Sequence, residues 1–117
     1  MKHILEELNA TLCAHGSLIV SKDGLLIAAA VANVQVDRLA AMGAAILSDV
    51  RRSLAAAGMS EFTQCEVAAE QGKVILVAAG PTYLLVLVGA RVEIGPGSME
   101  IRSAARQVAK AAEFAAA

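Results

Sequence analysis

The chain has no tryptophan, one tyrosine and two phenylalanines in 117 residues. Its core must therefore be aliphatic, and it offers no platform of rings on which single-stranded nucleic acid would stack. Charge of one sign is also scarce: ten Lys and Arg face eleven Asp and Glu, for a net charge of −1. With no basic block, the chain has no broad electrostatic hold on nucleic acid or on an anionic membrane. The two cysteines, Cys13 and Cys65, lie far apart without metal-ligand spacing. Free thiols are expected, with no structural metal and no cofactor. Their scarcity suits a reducing compartment, and a cytoplasmic location is expected. The two histidines, His3 and His15, bracket the first helical segment and read as exposed groups rather than ligands or bases. The uncharged run from Val74 to Ala90 is broken by Gly80-Pro81 and reads as two strands around a turn rather than a membrane span. Residues 1–15 carry Glu6 and Glu7 and lack the apolar stretch of a secretion signal.

What the chain does have is aliphatic surface. Hydrophobic residues make up 57% of it, above the usual ~45–50%, and many are alanine. The length suits one domain, residues 1–117. Ile4, Leu5, Leu8 and Leu12 form one stripe of an opening helix, with Gly16 as its expected C-cap. The stretch SLIVSKDGLLIAAA then predicts a hairpin turning at Asp23-Gly24, a pair suited to a type I′ turn with positive φ at both residues. Leu18, Ile19 and Val20 are consecutive, as are Leu25, Leu26 and Ile27, so both faces of this hairpin are apolar and both need covering. Val36 to Ala57 reads as a long helix with Leu39, Met42, Ile46, Val50 and Leu54 on its inner face and Asp37 near its start. A second hairpin turning near Gln71-Gly72, a fifth strand TYLLVLVGA and a loop RVEIGPGS follow. A last helix is capped by Ser98 and striped by Ile101, Ala104, Ala105, Val108 and Ala112, residues small enough to let it lie close to a sheet.

The order α-β-β-α-β-β-β-α fits an α+β fold: a three-layer α/β/α sandwich around a five-stranded antiparallel sheet. The terminal helices would share one face, and the central helix would cover the other. One set of residues does not suit a monomer. Ala41, Ala45, Ser48 and Arg52 form a second stripe on the central helix, small where a solvated face would carry more Lys and Glu. The strand near Phe62–Glu70 would sit at a sheet edge open to pairing. Together they predict a two-fold homodimer, with Ala41, Ala45, Ser48, Asp49, Arg52, Phe62, Gln64, Cys65 and Glu66 at its interface.

Nothing in the sequence assembles a reaction centre. The carboxylates are scattered, no serine has a paired histidine and aspartate, and GARVEIGPG lacks the Gly-Lys-Ser/Thr ending of a phosphate-binding loop. A non-enzymatic role is expected. Arg38, Arg51 and Arg52 on the central helix either contact a partner, or pair with Asp49 across a dimer, or belong to a solvated surface with intrahelical pairs.

GSLIVSKDGLLIA resembles the first hairpin of the Roadblock family of dynein-light-chain-related domains, and KVILVAAGPTYLLVLVGA with SMEIRSAARQVAKAA is similar to the family's paired strands and terminal helix. The resemblance covers nearly the whole chain and implies a Roadblock/profilin-like fold that dimerises through the second helix and third strand. It also implies the partner of bacterial regulators of the MglB type: a Ras-like small GTPase whose nucleotide state is regulated. The alternative implied by other members is a structural adaptor or scaffold that leaves nucleotide chemistry alone. A small-molecule sensor with a pocket between sheet and helix is a third expectation.

Overall fold

The structure, a computed structural model, describes residues 1–31, 36–59 and 62–116. Its elements are α1 (Lys2–Leu12), β1 (Gly16–Ser21), β2 (Leu26–Val31), α2 (Val36–Ala56), β3 (Gln64–Ala68), β4 (Gly72–Ala79), β5 (Thr82–Gly89) and α3 (Met99–Ala116). They run in the order the patterning predicts. The five strands form one sheet ordered β2-β1-β5-β4-β3, with every pairing antiparallel.

The unbroken apolar runs belong to the central strands. β1, β4 and β5 are covered on both faces, so neighbouring residues enter different cores. Ile19, Ile75, Leu84 and Val86 pack with Leu5 and Leu8 of α1 and Ile101 and Val108 of α3. Leu18, Val20, Leu76 and Leu85 pack on the other side with Leu47 of α2. Every residue of the α3 stripe is buried. Ile101 and Val108 are fully enclosed, and each such side chain contributes about 1.5–3 kcal/mol. Ser98 caps this helix as expected, its Oγ accepting from the Ile101 amide at 3.2 Å.

The hairpin differs from its prediction in two ways. β2 is an edge strand, and Leu25, Leu26 and Ile27 are 69%, 41% and 46% exposed. Lying in the middle layer covers β1, but β2 has a neighbouring strand on one side only, and its turn end stays open to solvent although α2 touches the turn at Gly24. The turn is also not type I′. Gly24 alone has positive φ, 86°, and its amide donates to Ser21 O at 3.0 Å; Asp23 does not enter the left-handed region. The Ser21 amide donates to Leu25 O at 2.9 Å, so the loop is one residue longer than a two-residue turn. The expected C-cap at Gly16 also moves. Cys13 takes the left-handed conformation, φ 53°, and the Ala14 amide donates to Asn9 O at 3.0 Å. Gly16 instead opens β1 against Val31, where a Cβ would sit 3.1 Å from the valine side chain.

α2 meets the sheet along Ala40, Gly43 and Leu47, a line turned away from the predicted inner face. The reason is steric. A Cβ on Gly43 would lie 2.7 Å from Leu85 Cδ1, so the small residues bring the helix backbone down onto β5. The larger Leu39, Met42, Ile46, Val50 and Leu54 are left half-buried.

Candidate functional site

With no cleft of converging catalytic groups in the sequence, the informative surface is the part of the fold left unfinished. Among the described residues β3 has β4 on one side and no strand on the other. It is five residues long, shorter than the Phe62–Glu70 segment read from the sequence. Its pairing with β4 sorts its side chains. Cys65 and Val67 stand opposite Leu76 and Val74, on the α2 face; Gln64 and Glu66 stand opposite Val77 and Ile75, on the α1/α3 face. Phe62, just before the strand, is half-buried and stacked on Tyr83 with ring centroids 5.2 Å apart. That contact fixes the entry of β3 and gives the phenylalanine a role inside the subunit.

α2 has two unlike flanks. Ala44 and Arg51 lie against the β1–β2 turn: a Cβ on Gly24 would come within 2.6 Å of Ala44 Cβ, and an Arg51 guanidinium N–H donates to Lys22 O at 3.1 Å. Leu39, Met42 and Ile46 lie on the opposite flank, in one cluster with Phe62 and Cys65. The flank of α2 turned away from the hairpin is therefore aliphatic and only half covered. On the same face of the sheet, Cys65 and Val67, the latter 41% exposed, add an apolar shelf at the open strand edge. Sequence patterning assigns these leucine-class residues wholly to the core. The signal available was the parallel line of Ala40 and Gly43, which takes that place.

Ala41, Ala45, Ser48 and Arg52 are all exposed. They lie roughly a third of a turn around the helix from the aliphatic flank, at 100° per residue. They form the outward ridge of α2 together with Arg38 and Asp49. Arg52 approaches Asp49 at 3.9 Å and Ser48 Oγ at 3.4 Å, both within its own helix. Side chains about 75% exposed hold such a pair weakly. Arg51 is the exception among the three predicted contact arginines, because its reach to Lys22 ties the hairpin to α2. Burial raises the Cys65 thiol above its usual range, which keeps it protonated and slow as a nucleophile. Among the described residues no group of three or more His, Cys, Asp or Glu is placed to hold a metal ion, and no helix is long and apolar enough to cross a membrane. Leu18, Val20, Leu47, Leu76 and Leu85 are at most 1% exposed, filling the layer between α2 and the sheet where a sensor pocket was expected.

The sequence profile of the Roadblock/LC7 domain matches residues 2–88, from α1 through nearly all of β5. The chain belongs to the Roadblock/LC7 domain family. Three uncharacterised proteins of Methanocaldococcus jannaschii are each 35% identical to it over 106 residues, covering 90% of this chain and 93%, 90% and 93% of their own lengths. Among solved structures, Myxococcus xanthus MglB superposes with a TM-score of 0.85 at 21% identity, covering 97% of this chain and 94% of that one. The gliding protein MglB of Thermus thermophilus gives 0.83 at 19% identity, with 96% and 87% covered. A Roadblock/LC7 domain of Streptomyces avermitilis gives 0.74 at 16% identity, with 99% and 97% covered. At such identities the structures establish a shared fold, including α3, which lies outside the profile match. One further MglB structure is described as a tetrameric arrangement of that protein.

Proposed function

We propose that this Roadblock domain works as a cytoplasmic homodimer that binds a small Ras-like GTPase and modulates its nucleotide state. One observation carries the reading: among the described residues the β3 edge is unpaired, and a half-covered aliphatic flank of α2 lies on the same face of the sheet as Cys65 and Val67. A second copy related by a two-fold axis satisfies both at once. The two β3 edges pair around Gln64, Cys65, Glu66 and Val67, and the flanks at Leu39, Met42, Ile46 and Val50 cover one another. This assigns the α2 contribution to the flank turned away from the hairpin. The small-residue ridge of Ala41, Ala45 and Ser48, with Arg38, Asp49 and Arg52, then faces outward from both copies. Alanine lets a partner backbone approach closely, and the arginines supply charge at the rim. The family resemblance of the first hairpin and the likeness to MglB support a GTPase as that partner.

Mixing the protein with candidate GTPases from the same organism, loaded with GDP or with a non-hydrolysable GTP analogue, tests this. The expected result is tighter binding to one nucleotide state and an altered rate of hydrolysis or exchange. Equal binding to both states with unchanged rates would support the adaptor reading. No binding to any of them would defeat the GTPase reading.

A further inference from the structure

Two sets of opposite charges on the α1/α3 face of the sheet have no ion-pair partner among the described residues. Glu66 stands opposite Ile75 across the β3–β4 pairing, so its side chain leaves the sheet on the face that α3 covers, and it is exposed. Arg102 and Arg106, also exposed, are one turn apart on the flank of α3 nearest β3. They wall an open cleft of about 360 Å³ floored by Thr63, Gln64 and the turn at Gly80. The arginines therefore stand beside the Gln64 end of β3, whereas Glu66 lies two residues further along and the exposed Glu70 just past the far end.

This polarity has a consequence when β3 pairs with a copy of itself. Two-fold pairing of an edge strand is antiparallel and keeps each side chain on its own face. It also reverses the order of residues, carrying the partner's acidic end to the arginine end of the first copy. A pairing centred on Cys65 sets the partner's Glu66 opposite Gln64, and one centred on Val67 sets the partner's Glu70 there. A pairing centred on Glu66 sets it against the partner's Glu66, a like-charge contact that costs stability unless cations neutralise it. In the Cys65-centred register the partner's Glu66 comes to the Gln64 end, where the arginines already are; in the Val67-centred register it is Glu70, just past the strand, that comes there.

We infer that Arg102 and Arg106 of α3 form a charge latch for a second copy of this chain, pairing across the β3 seam with the acidic end of the partner's strand, Glu66 or Glu70 of the partner subunit according to register. The inference rests on the homodimer of the proposed function. It makes α3, outside the β3 and α2 contacts, a determinant of which chains associate.

Sedimentation equilibrium on two variants tests it. One is Arg102→Glu/Arg106→Glu, the other Glu66→Lys/Glu70→Lys; all four positions are exposed, and circular dichroism confirms that each variant folds. Each alone is expected to weaken self-association about tenfold or more, because weak surface attractions become repulsions at both ends of the seam. Mixed in equal amounts, the two variants should form a heterodimer with affinity within about threefold of the original, since both ends of that seam regain opposite charges. The differences should shrink in high salt. Variants that dimerise as tightly as the parent, or a mixture that fails to recover, would overturn the latch while leaving the dimer standing. A parent chain that remains monomeric at all concentrations would instead remove the dimer itself.

Discussion

Gly24 carries two constraints at one position. Its φ of 86° is a conformation that L side chains rarely adopt, and a Cβ there would meet Ala44 Cβ at 2.6 Å. Gly24→Ala should cost about 1–3 kcal/mol, from backbone strain plus the displacement of α2 from the hairpin tip. Asp23, one residue earlier, carries neither constraint, and its exposed side chain makes Asp23→Val close to neutral, within about 0.5 kcal/mol. Parallel urea melts of the two variants check the contrast; equal losses would mean that the turn is fixed by something other than Gly24. The two cysteines differ for a similar local reason. Cys13 is exposed at the end of α1, whereas Cys65 is half-buried with its thiol held protonated by desolvation. At pH 7–8 Cys65 should alkylate more slowly than Cys13, and the gap should narrow as rising pH passes its elevated pKa. If the β3 edge pairs with a second copy, the Cys65 rate should also fall as protein concentration rises, which mass spectrometry of iodoacetamide-treated samples would read.

At the scale of elements, α2 shows how a helix is docked by its smallest residues. Ala40 and Gly43 admit the backbone to β5, and the bulkier Leu39, Met42 and Ile46 are pushed to the flank away from the hairpin turn, where they stay half-buried. The sheet itself ends in β3, an edge strand of five residues. Edge strands of natural sheets are usually blunted by charge, proline or bulges, and the α2 face of β3 carries instead Cys65 and Val67. Val67→Lys places a charge at the β3 edge without touching the buried clusters, so it should convert the proposed dimer to a folded monomer, a halving of mass by light scattering. Ala45→Glu, on the outward ridge, should leave the mass unchanged. A monomer from Ala45→Glu and a dimer from Val67→Lys would reverse the assignment of the two flanks.

At the scale of the molecule, these placements separate two surfaces with different tasks. In the proposed dimer the shelf and the β3 edge join copies, and the outward ridges of two α2 helices would become one platform wider than either alone. Val67→Lys should therefore lose GTPase binding by at least about tenfold even though Arg38, Arg52 and the alanine ridge are untouched, because it removes half of the platform. Surface plasmon resonance with immobilised GTPase measures this; undiminished binding by a monomeric variant would show that one copy suffices.

How much of this was legible in the chain follows from how local each signal is. Helix stripes, the Ser98 cap, the turn at Gly80-Pro81 and the runs of β1, β4 and β5 are written within a few neighbouring residues, and the element order with its layered arrangement follows from them. The lack of a basic block is equally local. The position of a strand within the sheet is not. That β2 lies at the edge with Leu25, Leu26 and Ile27 uncovered depends on β1 taking β5 as its other neighbour, a pairing between residues more than sixty apart in sequence. The rotation of α2 was equally hidden, since a leucine stripe and an alanine–glycine line alongside it both satisfy helical periodicity. Only packing against Leu85 shows that the narrow line fits and the wide one does not. Composition and periodicity determined the layers; tertiary contact decided which faces remain open, because steric exclusion acts between residues that the sequence holds far apart.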